Sequence, residues 1–154
     1  MAVSFFVNRL YVLTTENQVA YDERFHHGVN IIRGENSSGK STITHLLFYG
    51  LGGEYTHFVN EVRQCSRVMV EVSIDDATLT LSRPIEQDAE GRILTQRGMT
   101  IWWGTLEEAL RKECESQTFG YKTTANMCSF SNKLFEVMQM PVVQGDNNIT
   151  MHQL

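Results

Sequence analysis

Gly34-Glu35-Asn36-Ser37-Ser38-Gly39-Lys40-Ser41-Thr42 is the stretch on which the reading of this chain turns. Residues 34–41 satisfy G-x-x-x-x-G-K-[ST] at every fixed position. Average residue frequencies would produce that match by accident on the order of once in a few hundred sequences of this length. The spacing has a physical reason. A short loop must wrap a phosphate with consecutive backbone N–H groups, and the helix behind it must present further unpaired donors and positive partial charge. In such a cradle Lys40 supplies the point charge for the β- and γ-phosphates, the Ser41 hydroxyl is the expected Mg²⁺ ligand, and Thr42 is placed to touch the α-phosphate. A glycine-rich turn that only capped a helix would have no need of lysine at position 40.

The flanks carry the periods such a loop requires. Val29-Asn30-Ile31-Ile32 is a short β-branched run that predicts a buried strand feeding the loop. After Lys40, Ile43, Leu46, Leu47 and Gly50 or Leu51 recur at three- and four-residue spacing, which predicts a helix with one apolar stripe, ended by Gly50, Gly52 and Gly53. Upstream, Phe6–Thr14 and Val19–Phe25 around Glu16-Asn17 predict a β-hairpin. Downstream, Val68, Val70, Val72 and Ile74 alternate with polar residues, Asp75-Asp76 turns the chain, and Leu79 and Leu81 alternate again. That pattern predicts an antiparallel hairpin with one wet face. Residues 92–103 read as a further strand pair or extended segment after a polar loop at 86–91. Thr105 with Glu108 three residues on reads as a capping box opening a helix to about Cys114. Residues 115–126 carry no readable period, and Leu134, Phe135 and Met138 suggest a last helix ended by Pro141.

Composition bounds the function. The chain has 154 residues, 42% of them hydrophobic and 20% charged, with two prolines, which is the profile of one folded domain. Thirteen Lys and Arg against eighteen Asp and Glu leave a net charge of −5, so a broad basic face that binds nucleic acid by charge alone is excluded and any DNA contact must be local. Cys65, Cys114 and Cys128 have neither disulfide-framework nor zinc-ribbon spacing, which fits buried free thiols in a reducing compartment. No apolar stretch approaches the roughly 20 residues that span a bilayer, and the N-terminus makes a poor signal peptide, so the expectation is a cytoplasmic protein with no membrane partner.

The loop G-x-N-x-S-G-K-S-T, preceded by F-x-x-G-V-N-I-I-x-G, resembles the N-terminal half-head of SMC-type ATPases, with their RecF and RecN relatives and the break-repair ATPases. The resemblance extends to the hairpin before the loop and to the V-x-V-E-V and L-x-L-x-R strands of residues 68–83. It implies an α/β P-loop NTPase lobe with a mixed sheet, an antiparallel part like the β-subdomain of ABC heads, and a Walker A helix. It further implies that ATP and Mg²⁺ are held by Gly34, Glu35, Asn36, Ser37, Ser38, Gly39, Lys40, Ser41 and Thr42. Ser37 stands where the family often has glycine. Val142-Val143-Gln144-Gly145-Asp146 resembles the family's Q-loop, whose glutamine touches the metal and the attacking water. That makes Gln144 a candidate metal-contacting and catalytic residue beside Lys40, with Gln153 as a second candidate. A polar Q-G-D-N-N turn explains the same residues without chemistry.

A signature serine motif and a Walker B strand ending in Asp-Glu are not found in the sequence. The nearest match, Val72-Ser73-Ile74-Asp75-Asp76, alternates as an edge hairpin does. The resemblance therefore implies that residues 1–154 are an N-terminal ATPase lobe, either part of a split head or the first portion of a chain with a coiled coil beyond. Its partners would be a C-terminal head lobe of the same or a second protein, a second head with ATP between the two, and DNA, in repair, genome maintenance or defence. Hydrolysis would then need the partner lobe. Two other classes stay open: a complete small P-loop kinase or GTPase using Asp75 for Mg²⁺, and a nucleotide-sensing module without catalysis. His26, His27, His45 and His57 match no metal-site spacing. Trp102-Trp103 reads as one buried and one exposed ring on a strand, and Asn132-Lys133 lacks the Asp of a guanine-reading motif.

Overall fold

The computed structural model describes residues 4–31, 33, 39–54, 58, 60–122 and 129–137. Strands β1 (Phe5–Thr14) and β2 (Val19–Arg24) form the predicted first hairpin, with Asn17 in the left-handed conformation at φ 61°. Helix α1 (Lys40–Gly50) follows, then a 3-10 turn over Asn60–Gln64 and the second hairpin, β3 (Cys65–Ile74) and β4 (Ala77–Pro84). Two short strands pair with each other, β5 (Glu86–Gln87) in the segment expected to be a polar loop and β6 (Ile93–Leu94) in the segment expected to be extended. After them come β7 (Met99–Trp102), α2 (Leu106–Arg111), β8 (Ser116–Phe119) and α3 (Phe130–Val137).

Six strands make one sheet in the order β2-β1-β3-β4-β7-β8, antiparallel at every pairing. Alternation of side chains sends Leu10, Val12, Val68, Val70, Val72, Leu79, Leu81 and Ile101 to one face, where they bury against Leu46 and Tyr49 of α1 and Phe130 and Leu134 of α3. Gly50 sets how close α1 comes. A Cβ there would lie 2.6 Å from Val70 Cγ2 and 2.9 Å from Val68 Cγ1, so only glycine lets the last turn of the helix rest on β3.

Three expectations are corrected here. The second hairpin does not lie at an edge and has no wet face: β3 sits between β1 and β4, and its outward residues Met69 and Glu71 are buried. The reason is α2, whose Leu106 and Ala109 pack on Tyr11 and Met69 from the far side of the sheet. Glu71 survives that burial because its carboxylate accepts the Leu106 N–H at 2.9 Å, at the positive end of α2. Trp102 and Trp103 do not divide into one buried and one exposed ring. Both are partly covered, Trp102 by the Tyr11–Met69 cluster and Trp103 by the main core. Cys65 is a buried free thiol as expected, whereas Cys114 is partly exposed and Cys128 lies outside the described residues.

The largest correction concerns Val29–Ile31. These residues form no strand, and Val29 and Ile31 are 79% and 70% exposed. A strand exists only where a neighbour accepts its backbone hydrogen bonds, and β1 already has β2 on one side and β3 on the other. The capping box is as predicted: Thr105 Oγ1 accepts from Glu108 N at 3.2 Å and Glu108 Oε1 from Thr105 N at 3.1 Å. The helix it opens stops at Arg111, three residues before the expected Cys114, on Lys112 in the left-handed conformation. The unreadable stretch contains β8, whose only fully buried side chain is Phe119. None of the helices described is long and apolar enough to cross a membrane.

Candidate functional site

Gly39 ends the motif loop at φ 90°, ψ 10°, a backbone conformation that glycine adopts without strain. A Cβ built on it would meet nothing within 4 Å, so the glycine is required by the turn and not by close packing. The next residue, Lys40, opens α1, and Ile43 N donates to Gly39 O at 3.0 Å as the first helical bond. Ser41 is exposed; Lys40 and Thr42 are partly so. The apolar stripe behind them, Ile43, Leu46 and Leu47, packs into the core, which turns the start of the helix outward.

The two helix starts differ. On α2 a side chain caps the N-terminus and Glu107 and Glu108 occupy the first turn. On α1 no side-chain cap is formed among the described residues, and the first turn holds no acidic residue. The leading N–H groups of an α-helix have no partner within the helix and lie at the positive end of its dipole, a setting that favours anions, and on α1 the residue that opens this end is the basic Lys40. This donor set fits a polyphosphate. The Ser41 hydroxyl in the first turn is an oxygen ligand of the kind Mg²⁺ takes alongside phosphate and water.

The loop that leads into the motif is fastened to the sheet. Phe25 N donates to Asn8 O at 2.8 Å, Asn30 closes a turn by accepting from His26 N and donating to His26 O, and His27 stacks on Phe6 with ring centroids 3.8 Å apart. A cavity of about 340 Å³ opens beside this loop, lined mainly by Phe5, Phe6, Val7, Phe25, His26 and Leu47.

At its other end α1 is held by Arg83, a residue that sequence reasoning passed over. Nη1 donates to Tyr49 O at 2.9 Å and Gly53 O at 2.7 Å, Nη2 to Thr95 O and Arg97 O, and Nε to Arg97 O. The guanidinium lies 4.1 Å from the Tyr49 ring centre and 5.0 Å from that of Phe130. Burial lowers its pKa, while Tyr49, Tyr121 and Glu54 act in the opposite sense, and an arginine remains a cation throughout. Burial likewise raises the Tyr49 hydroxyl, which donates to Pro84 O at 2.6 Å. The signal in the sequence was an arginine at an inward position of an alternating strand, Leu79-x-Leu81-x-Arg83.

Of the other candidates, Gly34, Glu35, Asn36, Ser37, Ser38, Gln144 and Gln153 lie outside the described residues. Asp75 sits in the β3–β4 turn at φ 52° with Oδ1 accepting the Ser4 amide at 2.9 Å, and β3 runs antiparallel to both neighbours, which gives the kinase or GTPase reading no support. Among the described residues no cluster of His, Cys, Asp and Glu could hold a metal ion.

A family model described as an AAA domain matches residues 19–144, from β2 past α3. No curated protein and no solved structure matches the chain. With the motif, the helix that starts on its lysine and a family match over most of its length, the chain belongs to this AAA-domain family of P-loop ATPases, which includes SMC-like proteins.

Proposed function

We propose that this chain binds MgATP as the N-terminal lobe of an SMC-like head and that hydrolysis needs a second lobe carrying the signature serine and the Walker B carboxylates. The observation that carries the reading is that a complete G-x-x-x-x-G-K-S motif ends on a left-handed Gly39 at the start of α1, with Lys40 and Ser41 in the first turn of the helix. The N–H groups of the loop and first turn bind the phosphates, Lys40 neutralises charge on them, and Ser41 orients the metal. Magnesium, when bound, spreads the negative charge of the phosphates and fixes their geometry.

The need for a second lobe is supported by the exposed Val29 and Ile31. Two β-branched residues facing water just before the phosphate loop suit a strand that pairs when a complementary lobe supplies its neighbours. The antiparallel setting of β3 also leaves no Walker B strand among the described residues. In the assembled head Gln144 would touch the metal and the attacking water, two heads would close on ATP, and DNA would be engaged locally, as the acidic net charge requires.

Calorimetry with MgATP tests the binding claim, and an ATPase assay with and without a supplied second lobe tests the division of labour. Saturable binding with negligible turnover by the chain alone is expected, and brisk turnover by the isolated chain would overturn the two-lobe reading. Ser41→Ala removes a neutral metal ligand and spares the backbone cradle, so affinity in excess EDTA should hold while the gain on adding Mg²⁺ shrinks. Equal losses with and without Mg²⁺ would remove Ser41 from the metal site. Gln144→Ala should leave affinity intact and lower turnover only once the second lobe is present. Turnover indifferent to it would shift the role to Gln153 or another glutamine.

A further inference from the structure

Arg83 is fully buried, and no carboxylate bonds to it; its five N–H donors make five hydrogen bonds to backbone carbonyls. Removing a guanidinium from water is costly, and a hydrophobic side chain between Tyr49 and Phe130 would avoid that cost. What only a planar fork achieves is the joining of separate backbone segments at fixed angles. Here the segments are the last turn of α1 at Tyr49, the loop beyond it at Gly53, and Thr95 and Arg97 in the stretch between β6 and β7. Gly52, at φ 102°, brings the same loop against Phe130, which covers the guanidinium from α3. One cation therefore ties the rear of the phosphate-binding helix to a segment remote from it in sequence.

We infer that Arg83 is a positioning residue for the nucleotide site, locking the C-terminal end of α1 to Thr95–Arg97 so that helix and segment respond to the ligand as one body. The inference rests on the MgATP reading above. Anion binding at the start of α1 stiffens a helix of only three turns, and at its far end the restraint passes through the Tyr49 and Gly53 carbonyls into the guanidinium and on to Thr95 and Arg97.

Hydrogen exchange on the wild-type chain with and without MgATP is the first test. Amides 40–43 should gain protection, and amides 95–98 should gain it with them. The second test is Arg83→Lys, which keeps the charge but has three donors and no fork. Its folded population should bind MgATP about tenfold more weakly, within the range usual for coupling between packed elements, and lose the protection at 95–98. A purely structural arginine would lower the urea midpoint of the variant and leave the affinity of the folded population unchanged. Wild-type-like affinity in folded Arg83→Lys overturns the inference, as does wild-type protection confined to 40–43. If the variant does not fold, the wild-type exchange decides alone. A wild-type chain that binds no MgATP in calorimetry overturns the nucleotide reading itself and this inference with it, a result distinct from binding without transmission.

Discussion

Lys40→Ala is expected to weaken the proposed MgATP binding by about 2–4 kcal/mol, taking charged hydrogen bonds at roughly 1.5–3 kcal/mol each plus the lost Coulomb attraction. The loss is large because Lys40 is the only basic side chain in the motif, the other donors there being neutral: backbone N–H groups, hydroxyls and the Asn36 amide. The fold should survive, since the core contacts of α1 come from Ile43, Leu46, Leu47 and Tyr49. Titration calorimetry on wild type and variant, with matching circular dichroism spectra, measures it. An unchanged affinity would end the nucleotide reading.

Arg83→Met is expected to destabilise the fold by about 3–5 kcal/mol, at the high end for a single substitution. The methionine stem can occupy the space between Tyr49 and Phe130, so little of the loss is cavity. The loss comes from the carbonyls of Tyr49, Gly53, Thr95 and Arg97, which lose a charged donor at a site where Arg83 is fully buried. A buried acceptor without a partner costs about 1–3 kcal/mol, and entering water relieves part of that. Urea unfolding reads the change directly; a loss under about 1 kcal/mol would mean that the carbonyls find other donors.

How much could be read beforehand follows from the range of each interaction. Both hairpins were legible because alternation and the turn residues Asn17 and Asp75 lie within the elements they specify. The Thr105–Glu108 box was legible for the same reason, since both partners of its two bonds sit within four residues. The strand expected at Val29–Ile32, of which Ile32 lies outside the described residues, does not form over Val29–Ile31, because pairing depends on a neighbour that no local pattern supplies. The burial of Met69 and Glu71 was missed because α2, which covers them, lies some 35 residues further on, as the Leu106–Glu71 bond shows. That a helix opens at Lys40 behind Gly39 could be read from order alone, because the glycine and the apolar stripe that follows it are neighbours in sequence. Arg83 could not, because its acceptors are spread from position 49 to position 97.

The start of α1 on a left-handed glycine has a consequence for anyone who engineers this chain. Adding a cap to a helix is a standard route to thermostability, worth about 0.5–2 kcal/mol, and α2 shows that this fold accepts a full capping box. At α1 the same improvement would work against the molecule. A carboxylate or hydroxyl placed at position 39 would strain a backbone at φ 90°, and on the nucleotide reading proposed above it would compete with phosphate for the leading N–H groups of the helix. Under that reading a search for hardier variants would select ones impaired in binding at this position, and a sequence optimised for stability alone would lose the feature on which the proposed function depends.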